Sequence, residues 1–236
     1  ISSAASDVYK RQATNFGLHF LSFSKRSFKY YLANDELKLF LSIIFVVVLV
    51  STLTLYMKEG FSVNDSIRYG FFQSISIVTT TGYTLEPLSG LGGSIGFLIF
   101  VLAFIGACSG SVGGGMKVWR VLLMLKVGFS NITKIIHPSA ISSVKLNGEK
   151  IVSSQIEAVF SFIAIYISFF LLFMFILIFQ NVDFYSAFSG TAAAINNLGP
   201  GLGSFSENYS TLSDVGKFTL TMAMIVGRLE LFGVLI

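Results

Sequence analysis

The sequence predicts an all-α integral membrane protein built from two helix–re-entrant loop–helix repeats that run in the same direction. Three observations carry the prediction. The 236 residues are 53% hydrophobic and 12% charged, with a mean hydropathy of +0.77, whereas an ordinary soluble domain carries roughly 25% charged residues. Two uninterrupted apolar stretches reach the ~20 residues that a membrane-spanning helix needs. Glycine-bearing turns recur 117 residues apart, at Gly82 and Gly199.

The same composition excludes a soluble enzyme, which could not cover its surface with polar groups, and a disordered chain, which would not carry 25 phenylalanines. One cysteine, Cys108, excludes a disulfide framework and a Cys-based zinc site. His19 and His137 lie far apart in polar stretches and do not form a metal pair. The net charge of +4 is no nucleic-acid footprint, because the basic residues gather in two loops that flank apolar segments.

Along the chain, residues 1–12 are polar and lack the apolar core of a signal peptide. They are unlike the rest of the chain and read as a non-native leader or a disordered N-terminus. Residues 13–36 read as a cytoplasmic linker. The first unit covers 37–127: a span at 37–57, a short segment at 65–78 that is too short to cross, an apolar run at 92–106, a glycine-rich break at 106–115, and a resumed helix at 117–127. Residues 128–152 read as a second cytoplasmic linker. The second unit covers 153–236: a span at 155–179, a short segment at 183–195 and a last helix at 217–236 that carries Arg228 and Glu230. Setting Asp65 on Asp183 gives nearly the same offset as the two glycines, which argues for an internal repeat.

Topology follows from charge. Lys10, Arg11, Lys25, Arg26, Lys29 and Lys38 precede or open the first span, and Lys117, Arg120, Lys126, Lys134, Lys145 and Lys150 follow the glycine-rich break. The positive-inside tendency makes that side cytoplasmic. Glu59, Asp65, Glu86, Asp183, Glu207 and Asp214 fall on the other side. Each alone is a solvated loop residue; together they raise the local cation concentration.

The turns carry the chemistry. The first reads Ser76-Ile77-Val78-Thr79-Thr80-Thr81-Gly82-Tyr83-Thr84, and the second Ala194-Ile195-Asn196-Asn197-Leu198-Gly199-Pro200-Gly201. Non-helical backbone at membrane depth is tolerated only where protein surrounds it or where it lines a watery cavity. A cation that sheds water needs several oxygens at once, and consecutive carbonyls with Thr hydroxyls beside them supply these without a trapping charge. Glycine at position 82 permits backbone angles that aim neighbouring carbonyls at one axis. The preceding short helix points its partly negative C-terminal end the same way.

The glycine-rich break places five glycines within residues 106–115. Each interior glycine costs a helix about 0.8–1.0 kcal/mol relative to Ala, so the segment reads as an intramembrane loop. A phosphate-binding loop would need Gly-Lys-Ser/Thr where Gly115-Met116-Lys117-Val118 stands. A nucleophile at Ser109 or Cys108 would lack a base. Arg228 lies inside an apolar segment, where a charge costs roughly 2.5–3.5 kcal/mol and faces protein or water. It reads either as an ion-pair partner or snorkelling residue, or as a pore-facing charge. The phenylalanines at 71, 72, 169, 170, 173, 175 and 179 read as packing or lipid-facing residues, and Tyr30, Tyr31 and Tyr56 as interfacial anchors.

These pieces together carry a resemblance. SIVTTTGY (76–83), GACSGSVGGGMKVWRVLLMLK (106–126), AAINNLGPGLG (193–203), GRLELF (227–232) and NFGLHFL (15–21) resemble the second half of a potassium transporter of the TrkH/KtrB/HKT superfamily, over nearly all of residues 13–236. The resemblance implies two M1-P-M2 units, similar to the third and fourth of a four-repeat, potassium-channel-like pore, with the last helix truncated. It implies a selectivity filter that binds K+ at Thr80, Thr81, Gly82, Tyr83, Asn197, Leu198, Gly199 and Pro200. It implies a gate at Gly110, Gly113, Gly114, Gly115, Lys117 and Arg228. It further implies a multi-pass protein of the bacterial inner membrane in contact with lipid, a homodimer, and a cytoplasmic nucleotide-binding regulatory subunit. No covalent cofactor, no catalytic residue and no nucleic acid is expected; K+ is the cargo. The competing class is an ion-coupled carrier of a small solute built on broken helices, which would require inverted rather than parallel repeats.

Overall fold

The computed structural model describes residues 15–27, 29–58, 60–85, 97, 100–111, 113–137 and 144–229. Residues 1–12, Glu59, Glu86, residues 92–96, 98 and 99 of the apolar run at 92–106, and Glu230 lie outside the described residues.

Two helices dominate. α3 (Asp35–Lys58) and α6 (Ser153–Phe179) are 24 and 27 residues long. At 1.5 Å per residue they reach about 36 and 40 Å, more than the ~30 Å hydrocarbon core. Their apolar windows have mean hydropathies of 2.6 and 2.9, yet only 28% and 33% of those windows is buried within the chain. Most of each helix surface is therefore left for lipid or further protein.

Each long helix is followed by a short one. α4 (Val63–Val78) packs along α3, and α7 (Phe184–Ile195) packs against α6 and against α8 (Asp214–Arg228). Both short helices open on a side-chain cap: Ser62 accepts from the Asp65 N–H, and Asp183 accepts from the Ser186 N–H at 2.9 Å. The counterpart of Asp183 is therefore Ser62 and not Asp65, the residue that the sequence offset pairs with it. Asp65 sits in the first turn of α4, where it accepts from the Ser62 hydroxyl at 2.7 Å. The physical reason is length: α4 has 16 residues and α7 has 12. The repeat is in register at the C-terminal turns and slips by about one turn at the N-termini.

Past the glycine-rich segment, α5 (Val118–Ile136) runs through residue 127 and nine residues beyond it. The helix thus extends into the stretch that the sequence reading assigns to a linker, and no Pro stands in its way before Pro138. Further along that stretch, residues 145–150 form a small hairpin, β1 (Lys145–Leu146) against β2 (Glu149–Lys150), with Lys145 opposite Lys150 and Leu146 opposite Glu149. Asn147 and Gly148 at its tip both take positive φ, the conformation of a tight two-residue turn. Leu146 buries against Leu122, Leu123, Val127 and Val159, which seats the hairpin between α5 and α6. Asn147 and Lys126 also bind Asp35 at the head of α3, the lysine at 2.7 Å. At the other end of the sequence, α1 (Phe16–Ser24) and α2 (Lys29–Ala33) pack together ahead of α3.

The main core joins the two units. Phe104, from the segment that enters the glycine-rich loop, meets Tyr166, Phe170 and Phe188 at centroid distances of 6.5, 5.6 and 6.1 Å. Phe170 and Phe173 are buried, while Phe175 and Phe179 are exposed. The phenylalanine-rich stretch thus divides between packing and outward-facing surface.

Candidate functional site

The two short helices end alike. In α4, the Thr80 N–H donates to the Ile77 carbonyl at 3.0 Å and the Thr81 N–H to the Ser76 carbonyl at 2.8 Å. In α7, the Asn197 N–H donates to Ala194 at 3.0 Å and the Leu198 N–H to Ala193 at 2.8 Å. This pair of bonds is the Schellman motif, which needs a left-handed residue just past the helix. Thr80 (φ 55) and Asn197 (φ 52) supply it. Asn takes that conformation readily, but for β-branched Thr it is an outlier. Two residues later Gly82 (φ 80) and Gly199 (φ 100) turn the backbone again.

The turns meet. A side-chain carbon at Gly82 would collide with the Leu198 carbonyl oxygen and approach Pro200 Cδ to 3.2 Å. The two C-terminal helix ends therefore converge on one place, with residues 80–83 and 197–200 side by side. Behind them the short helices are buried and polar: Gln73, Ser74, Ser76, Ser186, Ser189 and Thr191 are each under 5% exposed. Three of them, Gln73, Ser186 and Ser189, hold the chain that follows the turns. Gln73 accepts from the Leu85 N–H at 3.2 Å. The Ser189 hydroxyl both accepts from the Leu202 N–H and donates to its carbonyl. The Tyr209 hydroxyl donates to the Gly199 carbonyl at 2.9 Å. From α6, the Tyr166 hydroxyl donates to Asn196 Oδ1 at 2.7 Å, and the Asn197 amide reaches the Met224 carbonyl on α8 at 3.3 Å. Sequence reasoning missed Gln73, Tyr166, Ser189 and Tyr209. Their signal was a hydrogen-bonding group set among apolar or small residues.

The glycine-rich segment lies directly against these turns. The Gly114 N–H donates to the Thr80 hydroxyl at 2.7 Å. A Cβ on Gly114 would strike the Asn196 carbonyl, and one on Gly113 would come within 3.4 Å of the Thr79 carbonyl. The arms of the segment cross backbone to backbone, since Gly106 leaves no room for a Cβ against the Gly114 carbonyl and Gly115 Cα. Gly106, Gly110 and Gly115 take positive φ. Lys117, also at positive φ, is buried and donates through Nζ to the Ser111 and Gly113 carbonyls at 3.2 and 2.5 Å. A cavity of about 150 Å³ is lined by Ser111, Gly113, Gly114, Gly115, Lys117, Gly227 and Arg228. Five of the six expected gate residues thus share one cavity. The sixth, Gly110, faces the Asn15 side chain at the start of α1 and accepts from the Phe16 N–H at 3.3 Å. Cys108 is buried, and among the described residues no cluster of His, Cys, Asp and Glu could hold a metal.

Residues 13–236 match the family model described as TrkH, cation transport protein. The chain belongs to the TrkH family. Among its relatives, the Trk system potassium uptake protein TrkH of Escherichia coli K12 is 38% identical over 223 residues, 94% of this chain and 46% of that protein. The TrkH of Halomonas elongata is 35% identical over 224 residues, 95% of this chain and 46% of that protein. The crystal structure of the potassium transporter TrkH from Vibrio parahaemolyticus superposes with a TM-score of 0.94 at 35% identity, over all of this chain and 51% of that one. The chain therefore spans about half the length of the relatives it matches. As a TrkH-family chain it is a helical membrane protein of a transporter family and not an enzyme.

Proposed function

We propose that this chain contributes two M1-P-M2 units to a potassium uptake protein of the bacterial inner membrane. On this reading α3 and α6 are the M1 helices and α4 and α7 the pore helices. The turns at Thr80–Tyr83 and Asn197–Pro200 form part of a selectivity filter, and K+ exchanges its water for their oxygens. The observation that supports it best is the convergence of two buried helix C-termini, each ending in the same left-handed turn, at one point of backbone contact. Helix C-termini carry partial negative charge, which favours a cation. Both long helices start beside the basic stretches of the chain, which fits parallel units, whereas the inverted repeats of an ion-coupled carrier would start on opposite sides.

The glycine-rich loop lies against the filter turns and acts as the gate. Lys117 and Arg228 bracket the cavity beside it. Two positive charges there oppose a cation as long as the loop is in place, since like charges repel strongly where the dielectric is low. A loop rich in small residues moves aside without dragging bulky side chains through the pathway. The complete protein works as a homodimer, and a cytoplasmic nucleotide-binding subunit regulates it from the side that carries α5 and the hairpin.

Gly82→Ser tests the filter. A side chain at φ 80, against the Leu198 carbonyl, displaces one turn or the other. In the complete protein reconstituted into vesicles, isotope flux is expected to show K+ over Na+ discrimination reduced by about tenfold or more, or K+ flux lost. Unchanged discrimination at normal expression overturns the filter assignment.

A further inference from the structure

The loop is held by more than its own glycines. Glu36, at the cytoplasmic head of α3, is 3% exposed, although carboxylates are almost never fully buried unless paired. Its Oε1 accepts the Ser109 backbone N–H at 2.5 Å, on the arm where the chain enters the glycine-rich loop. The Trp119 backbone N–H and the Lys117 charge act on the same carboxyl. Trp119 belongs to the first turn of α5, where the chain leaves the loop. The residue at the N-cap of α5, Lys117, gives no side-chain cap. Orphan N–H groups and the helix dipole at that end favour an anion nearby. One buried carboxyl thus fastens the entering arm of the loop to α3.

We infer that Glu36 is a positioning residue for the gate: it fastens the entering arm of the loop to the head of α3 and so keeps Gly113 and Gly114 against the filter turns. The inference rests on the reading of this loop as the gate. Removing the acceptor leaves the partly buried Ser109 N–H without its partner, a cost that falls on the fastened conformation alone. Water then enters beside Glu36, and the loop opens more often.

Cys108 reports the opening directly. It is buried, adjoins Ser109, and is the only cysteine in these 236 residues. In the complete transporter, with any cysteine outside these residues replaced by serine, the maleimide labelling rate of Cys108 is measured beside K+ and Na+ flux. Glu36→Ala is expected to label about tenfold faster or more and to leak K+, with the K+/Na+ ratio unchanged. Glu36→Asp, which keeps the charge but shortens the reach, is expected to do the same and serves if the alanine variant does not fold. Glu36→Gln keeps an acceptor oxygen at full reach and is expected to stay within about threefold of the parent. Parent-like labelling in folded Ala or Asp variants overturns the clasp, as does a Gln variant no better than Ala. Deleting residues 113–115 separates the two ideas: unchanged flux in that deletion sinks the gate reading, while the labelling series still decides whether Glu36 holds the loop.

Discussion

At the scale of single residues, small polar groups set the ends of buried helices. Asp183 caps α7 through the Ser186 N–H. Hydrogen bonds from the Ser186 N–H and hydroxyl hold its carboxyl below the usual carboxylate range. A depressed carboxyl contributes stability that is complete above its unfolded value of about 3.9 and is lost as pH falls through the lower folded value. Asp183→Ala is therefore expected to cost about 1 kcal/mol at neutral pH. The gap to the parent should narrow below about pH 4, as read by thermal unfolding of the purified protein in detergent. A gap that widens on acidification contradicts the assignment. The same scale shows what a sequence hides. Gly82 and Gly199 stand out as turn residues, but the first left-handed positions go to Thr80 and Asn197. No local rule places a β-branched threonine there. The Thr80 hydroxyl, engaged by the Gly114 N–H from 34 residues away, is part of what keeps it.

At the scale of elements, close backbone approach decides the packing. Gly227 near the end of α8 lies so near α7 that a Cβ would strike the Ile195 carbonyl oxygen and lie 2.7 Å from its carbon. Replacing glycine with alanine inside a helix is worth about 1 kcal/mol by propensity. Overpacking against rigid backbone costs about 1–3 kcal/mol. The clash is expected to win, so Gly227→Ala should lower the unfolding midpoint despite the better helix former. A raised midpoint would show that α8 stands off from α7. The long helices and the two short ones were legible from apolar length and turn chemistry. The course of α5 past residue 127 was not, because a single Gly128 weakens a helix without ending it. The hairpin did leave a local mark, the Asn147-Gly148 pair, but two-residue strands are too short for alternation to show.

At the scale of the whole molecule, the two units meet through the Phe104 cluster and through the turns, while most of α3 and α6 stays uncovered. On the proposed topology both helices start on the basic side, which puts the hairpin and the end of α5 in the cytoplasm and the loop after α7 outside. In a Cys108→Ser background, a cysteine at Lys134 is expected to react with an impermeant maleimide only from the cytoplasmic side, and one at Glu207 only from outside. Labelling of both from one side would overturn the topology and the parallel repeat with it.

The amino-acid sequence by itself determined the membrane class, the order of long and short helices, the position of both turns and the glycine-rich break. Each of these is written in contiguous residues, through apolar length, glycine spacing and charge. The tertiary structure alone decided which groups hold those pieces together. It brought Leu198 against Gly82, Gly114 under Thr80, Tyr166 onto Asn196, and Glu36 onto Ser109. The reason is physical. In a chain so apolar, a buried polar side chain must find its partner across elements, and which partner it meets depends on how the helices pack rather than on its neighbours in sequence.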